Sequence, residues 1–213
     1  LVVGQTPPPF GGQGVMIDYL LKGNYSSIQL YHVRMGFSKG MDDMGKIQVR
    51  KLFHLFAVIL KIYYYRIFKN VFTLYYPPSG PNSAVYRDMA ILLTTRFLFK
   101  KTIFHFHASG LSTHLENMKG IVKWAFKQSF FYPDLCIHLS ESCPKEGEWI
   151  HSKKNCIVPN GVPDIAGITM HTKKDASNFN ILFIGLLEST KGELDILKAL
   201  QILKQKGFQT HLR

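Results

Sequence analysis

Residues 157–192 decide how the chain is divided. They read Ile157-Val158-Pro159-Asn160-Gly161-Val162, a polar stretch through Asn178, and then Phe179-Asn180-Ile181-Leu182-Phe183-Ile184-Gly185-Leu186-Leu187-Glu188-Ser189-Thr190-Lys191-Gly192. The first part is a short apolar run stopped by a Pro-Asn-Gly turn. The last part is an apolar strand over residues 181–184 that ends at Gly185 and leads through Lys191-Gly192 into a helical pattern. A strand, a glycine-bearing loop and a helix in that order present backbone N–H groups to a phosphate. Between them, residues 163–178 carry Pro, Gly, Thr, His, Lys and Ser without a sustained period, as an interdomain linker does. One domain is therefore expected over residues 1–162, and the start of a second over 179–213.

Working back towards the N-terminus, apolar strand patterns alternate with helical ones. Strands are expected at residues 1–3, 28–33, 71–76, 102–106, 135–139 and 157–158, and helices at 15–21, 46–70, 83–99, 115–131 and 143–151. This alternation predicts an α/β fold built on a parallel sheet with helices on both faces. Ligands of such sheets lie beyond the C-terminal ends of the strands. Four polar or glycine-rich exits therefore face one side: residues 11–14, 77–82, 107–110 and the pair Ser140-Glu141.

The first exit is Gln5-Thr6-Pro7-Pro8-Pro9-Phe10-Gly11-Gly12-Gln13-Gly14. Its prolines forbid helix, and its glycines permit positive φ and close approach of the backbone to a ligand. The alternative is a tight strand-to-helix turn. At the second exit, Asn82 or Ser83 is expected to cap the next helix. His105 and His107, two apart on one strand, point to one face; His105 is expected to pack, and His107, at the strand's exit, either is structural or reaches a ligand. Without a third ligand nearby, a metal there is not expected. Asp42 and Asp43 likewise lack partners at ligand spacing and read as a solvated loop. Ser140-Glu141 either caps the following helix or contributes Glu141 to binding. Lys191 is the strongest single candidate for anion binding, because its charge and the dipole of the helix starting near Gly192 act together.

The chain has 213 residues, with 26 Lys+Arg against 14 Asp+Glu, a formal net charge of +12. This excess favours anionic partners without choosing among nucleic acid, an anionic membrane surface and a phosphorylated ligand. Residues 46–70 interleave Lys46, Arg50, Lys51, Lys61, Arg66 and Lys69 with more apolar side chains than one helical face holds. Either this is a core helix with a solvated basic side, or it lies at a membrane interface. Cys136, Cys143 and Cys156 lack C-x-x-C spacing and read as reduced thiols of a cytoplasmic protein. No apolar run approaches the roughly 18–20 residues that span a bilayer. Residues 1–3 read as the tail of a buried strand and 208–213 as the start of another, so the sequence is expected to be a fragment.

Taken together, Leu182-Phe183-Ile184-Gly185-x-Leu187-x-x-x-Lys191-Gly192, the preceding Ile157 to Val162 stretch, residues 7–14 and His107 resemble the family 4 glycosyltransferases of the GT-B fold. The resemblance implies two Rossmann-like domains facing each other across a cleft. The N-terminal domain would take the acceptor, and the C-terminal one, truncated here, a nucleotide-sugar. It further implies sugar transfer with retention of configuration, no cofactor and no required metal. On the matching positions, Gly11 and Gly12 would lie close to the donor diphosphate and the acceptor. His107 would approach the transferred sugar as the catalytic residue, and Lys191 would bind the diphosphate. Gly14, Glu141, Asn160, Gly185 and Gly192 would complete the donor and acceptor sites.

The sequence departs from the family at Leu186, where many members carry arginine, and the family's later pair of glutamates lies beyond Arg213. A chain without that region is expected to be inactive alone. The partners implied are a nucleotide-sugar and a glycan or lipid-linked acceptor, in surface polysaccharide or glycolipid synthesis. Peripheral contact of the basic helices with the inner face of an anionic membrane is also implied, and nucleic acid is not. The alternative is a non-catalytic basic α/β module that binds an anionic membrane or nucleic acid.

Overall fold

The computed structural model describes residues 1–37, 48–80, 83–162, 164, 178–185 and 191–213. The chain forms two compact units, Leu1–Val162 and Pro163–Arg213. Of the readings above, Asp42, Asp43, Asn82, Leu186 and nearly all of the linker lie outside the described residues.

The first unit is a six-stranded sheet in the order β2-β1-β3-β4-β5-β6. Its strands are β1 (Val2–Gly4), β2 (His32–Arg34), β3 (Thr73–Tyr76), β4 (Lys101–His105), β5 (Leu135–His138) and β6 (Asn155–Ile157). Every neighbouring pair is parallel. The crossovers are α1 (Gly12–Lys22), α2 (Val49–Phe68), α3 (Ala84–Thr95), the pair α4 (Leu111–Asn117) and α5 (Gly120–Phe130), and the short α6 (Glu146–Trp149). This is a Rossmann-like α/β arrangement.

The strand order fixes where the helices go. From β1 the chain moves outward to β2, then returns past β1 to β3 and continues in that direction. Right-handed crossovers consequently put α1 on one face and α2, α3 and α5 on the other, with α3 packed on both α2 and α5.

Side chains alternate along the strands in the same sense. Leu74, Tyr76, Thr102, Phe104, Cys136 and His138 are buried. Tyr75, Ile103, His105, Leu135 and Ile137, on the opposite face, are only partly buried. The buried face carries the main core, where the Phe104 ring lies 6.0 Å from that of Phe130 on α5. On the other face, α1 sits so close to β1 that a Cβ at Gly4 would come within 2.8 Å of Ile17 Cδ1.

Some elements differ from the sequence pattern. The helix expected over residues 115–131 is two helices, separated where Met118 is buried and Gly120 takes a left-handed φ of 53°. Residues 83–99 form α3 and then a 3₁₀ turn, Arg96–Leu98. Ser83 precedes that helix without a side-chain capping bond. The helix expected over 143–151 shortens to Glu146–Trp149, because Pro144 disfavours helical geometry at Cys143.

The second unit is a β-α-β element: β7 (Asn178–Ile181), α7 (Glu193–Gln205) and β8 (Gln209–Leu212), with the strands parallel. The strand expected over 181–184 begins earlier, at Asn178, because pairing with β8 rather than apolarity sets its bounds. Arg213 N donates to Ile181 O at 3.0 Å and Phe183 N to Arg213 O at 2.9 Å, after which the ladder stops and Ile184 is exposed.

Candidate functional site

The order in which the chain adds strands reverses between β1 and β3, and the exits of these parallel strands flank that point, where open α/β sheets form their ligand crevice. Several contacts join the exit loops. Gln13, in the first turn of α1, donates its side-chain amide to Pro77 O at 3.3 Å. Arg34, at the end of β2, holds the proline loop by donating to Pro8 O at 2.6 Å and to Thr6 O at 3.3 Å. In the β3 exit, Gly80 approaches the β4 exit so closely that its Cβ would lie 3.0 Å from that of Ala108. The loops after β1, β3 and β4 thus form one connected rim.

Gly11, Gly12 and Gly14 stand on this rim without using the positive φ that glycine permits. None has a positive φ: Gly11 is the extended N-cap, and Gly12 and Gly14 already belong to α1. What they supply is space. A Cβ on Gly11 or Gly12 would meet nothing within 4 Å, whereas one on Gly14 would come to 3.4 Å from Gln5 O. The absence of side chains there leaves the start of α1 open to solvent.

The β3 exit is locked by a buried carboxylate. Asp88, fully buried on α3, accepts from Tyr76 Oη at 2.8 Å, Ser79 N at 2.8 Å and Arg87 Nη2 at 2.7 Å. Arg87 also donates to Ser79 Oγ at 2.6 Å. Burial, then the Asp88 charge, pushes the Tyr76 phenol well up, so it stays a protonated donor.

The β4 exit is built differently. Tyr75 Oη and His105 Nδ1 form a 2.5 Å hydrogen bond, and the His105 and His107 rings lie against each other, tilted by 36°, with centroids 4.1 Å apart. His107 lies just beyond β4 but keeps the face expected of it. Its Nδ1 and Nε2, and the Nε2 of His105, are buried without a hydrogen-bond partner.

Burial, then His107 and His138, pushes His105 down to about 3, and burial also lowers His107. Both rings are neutral near neutral pH, each with one donor and one acceptor nitrogen. The Asn160 side chain opposes the shift of His107 without satisfying either nitrogen. Two of the residues singled out in the sequence, His107 and Asn160, therefore meet.

Glu141 is exposed and lines a cavity of about 600 Å³ at the exits of β5 and β6, together with His138, Ser140, Lys145 and Cys156. His138 lines this cavity from the opposite face of the sheet to the histidine pair and stacks on Phe106 at 5.5 Å. Cys136, Cys143 and Cys156 are free thiols, and burial pushes Cys136 up to about 11.

Two features are not apparent from the motifs. Glu146 is buried, and its carboxylate accepts from Gly110 N at 2.6 Å, Leu111 N at 3.1 Å and Ser112 N at 3.1 Å. It satisfies the opening N–H groups of α4 and fixes the segment that follows His107. Tyr75 was legible in principle. Tyr75 pairs with Ile103, so period-two alternation puts it on the face of His105.

The remaining candidates belong to the second unit. Lys191 is exposed, and Gly192, with a left-handed φ of 77°, is the N-cap of α7. The first turn of α7 carries Glu193 and Asp195, which already complement the helix dipole and oppose an added anion. The exposed Gly185 leaves its backbone accessible, although a Cβ there would lie 3.2 Å from the Phe183 ring. Among the described residues, no group of three or more His, Cys, Asp or Glu is placed to hold a metal ion. The chain matches no protein-family model and no curated protein.

Proposed function

We propose that this chain belongs to a retaining glycosyltransferase of the GT-B type, moving a sugar from a nucleotide-sugar to a glycan or lipid-linked acceptor. The observation that carries this reading is the pair of neutral imidazoles at the C-terminal end of β4, three of whose four nitrogens have no hydrogen-bond partner among the described residues, on a rim shared with the open start of α1. A sugar offers hydroxyl groups that both donate and accept, and His107 has one nitrogen of each kind to meet them. Asn160 adds an amide beside it. Gly11 and Gly12 leave room for an acceptor or a diphosphate against the backbone of α1, and the N-terminal end of that helix favours negative charge. In the second unit, Lys191 would neutralise the leaving diphosphate.

The test is turnover in the product of the whole reading frame, with a panel of nucleotide-sugars and lipid-linked acceptors followed by NMR. We expect release of a nucleoside diphosphate and a product with the donor's anomeric configuration, both about 10²-fold slower in Lys191→Ala. An inverted product would exclude the retaining class. Unchanged turnover in Lys191→Ala would remove that residue from the site. Salt-sensitive DNA binding with no affinity for any nucleotide-sugar would favour a basic binding module instead.

A further inference from the structure

Helix α2 presents two apolar faces, and the sheet uses only one. Val58 and Ile62 are buried against the core. On the other side Val49, Leu52, Phe53, Phe56, Leu60, Tyr64, Ile67 and Phe68 are exposed; Phe53 is 72% exposed, Leu60 68% and Phe68 70%. At 100° per residue the stripe from Val49 through Phe53, Phe56 and Leu60 to Ile67 stays on one side for the whole helix. Monomeric proteins seldom leave so long an apolar strip bare without a partner for it.

Charge on the same surface says which partner fits. Lys61 projects at one edge of the stripe and Arg66 at the other. Between Asp43 and Asp88 the sequence has no Asp or Glu at all. At the end of the helix, Arg66 lies 4.3 Å and Lys100 4.7 Å above the Phe72 ring, a cluster of aromatic and cationic groups. Neither edge offers a carboxylate that would pair with these cations in a second copy of the chain. A nucleic acid would meet hydrocarbon where it needs positive charge. Among the described residues, no helix is long and apolar enough to cross a membrane.

We propose that α2 is a membrane-docking helix that lies in the plane of an anionic bilayer. Its outward stripe enters the headgroup–acyl boundary while Lys61, Arg66 and Lys100 engage lipid phosphates. The proposal does not depend on sugar transfer: its readout is binding to lipid alone.

The experiment is co-sedimentation of the full chain with vesicles of 30% phosphatidylglycerol in phosphatidylcholine, and with pure phosphatidylcholine. We expect partition onto the anionic vesicles that weakens with salt. The double variant Phe56→Ser/Leu60→Ser should lose on the order of 100-fold, since two side chains leave hydrocarbon. Lys61→Gln should lose about fivefold, the worth of one surface cation. All of these positions are exposed, so an unchanged circular dichroism spectrum and melting curve should accompany the loss. The proposal is overturned if the wild type ignores anionic vesicles or if the double variant binds as well. It is also overturned if size-exclusion chromatography with light scattering shows a dimer that the double variant abolishes.

Discussion

Two neighbouring strand exits handle buried polarity in opposite ways. After β3, Tyr76, Ser79 and Arg87 all converge on the Asp88 carboxylate. After β4, His105 and His107 leave three ring nitrogens without a partner. Unpaired buried polar groups cost stability, so the first exit acts as a structural lock, while the second keeps hydrogen-bonding capacity that no described residue uses. The two lie close together, since a Cβ on Gly80 would come 3.0 Å from that of Ala108.

The contrast is broken most easily at Asp88. Replacing Asp88 by Ala strands a buried phenol and a guanidinium, and should cost about 3–5 kcal/mol in urea unfolding. Asp88→Asn, which keeps an acceptor, should cost less. If Asp88→Ala unfolds at the wild-type midpoint, the β3 exit is not a lock.

Glu146 tests the other half of the frame. Glu146→Ala removes three charge-assisted acceptor contacts from the start of α4 and should cost about 2–3 kcal/mol, together with faster amide exchange at residues 110–112. Glu146→Gln should recover part of both. Protection at those amides that survives in Glu146→Ala would mean that α4 holds the loop by packing alone.

His107→Ala should behave in the reverse manner. Among the described residues only the Asn160 side chain acts on its ring, and it satisfies neither nitrogen, so stability should stay within about 1 kcal/mol of the wild type. On the proposed reading, sugar transfer should fall about 10²-fold. A large loss of stability with unaltered transfer would make His107 a core histidine and erase the difference between the two exits.

These same residues show what a sequence can carry. Alternation of strand and helix patterns exposes the parallel sheet and the convergence of its exits, because burial on both faces and right-handed crossovers leave few other arrangements. The meeting of His107 with Asn160 involves residues far apart along the chain, and only their common position at strand exits hinted at it. Glu146 was hidden for a different reason. An isolated glutamate near a proline reads as solvent-facing, and only the fold of α4 beneath it turns it into a buried acceptor. The glycines at 11, 12 and 14 are ambiguous in a third way, since glycine signals either torsional freedom or empty space and the sequence does not distinguish them. In the second unit, the apolar run from Ile181 to Ile184 looks like a strand by composition, whereas the bounds of β7 depend on a partner almost thirty residues later.

The smallest expected effect is also the one that reports most directly on the open exit. His105 is held neutral, with its pKa near 3 against an ordinary value of 6.5, by burial and then by His107 and His138. Below pH 6.5 the unfolded chain binds a proton at this position and the native state does not, until the pH approaches 3. Stability from this group is therefore intact above pH 6.5 and falls as the solution is acidified between 6.5 and 3. The ring is not fully enclosed, and solvent screening limits the slope to no more than about 1 kcal/mol per pH unit. His32, His54 and His107 are shifted in the same direction, so the wild-type profile sums several groups and the difference from His105→Gln isolates this one. That variant should lose less stability on acidification while matching the wild type in slope above pH 6.5. Parallel profiles down to pH 4 would mean that His105 is protonated in the native state, and that the β4 exit carries charge rather than neutral imidazoles.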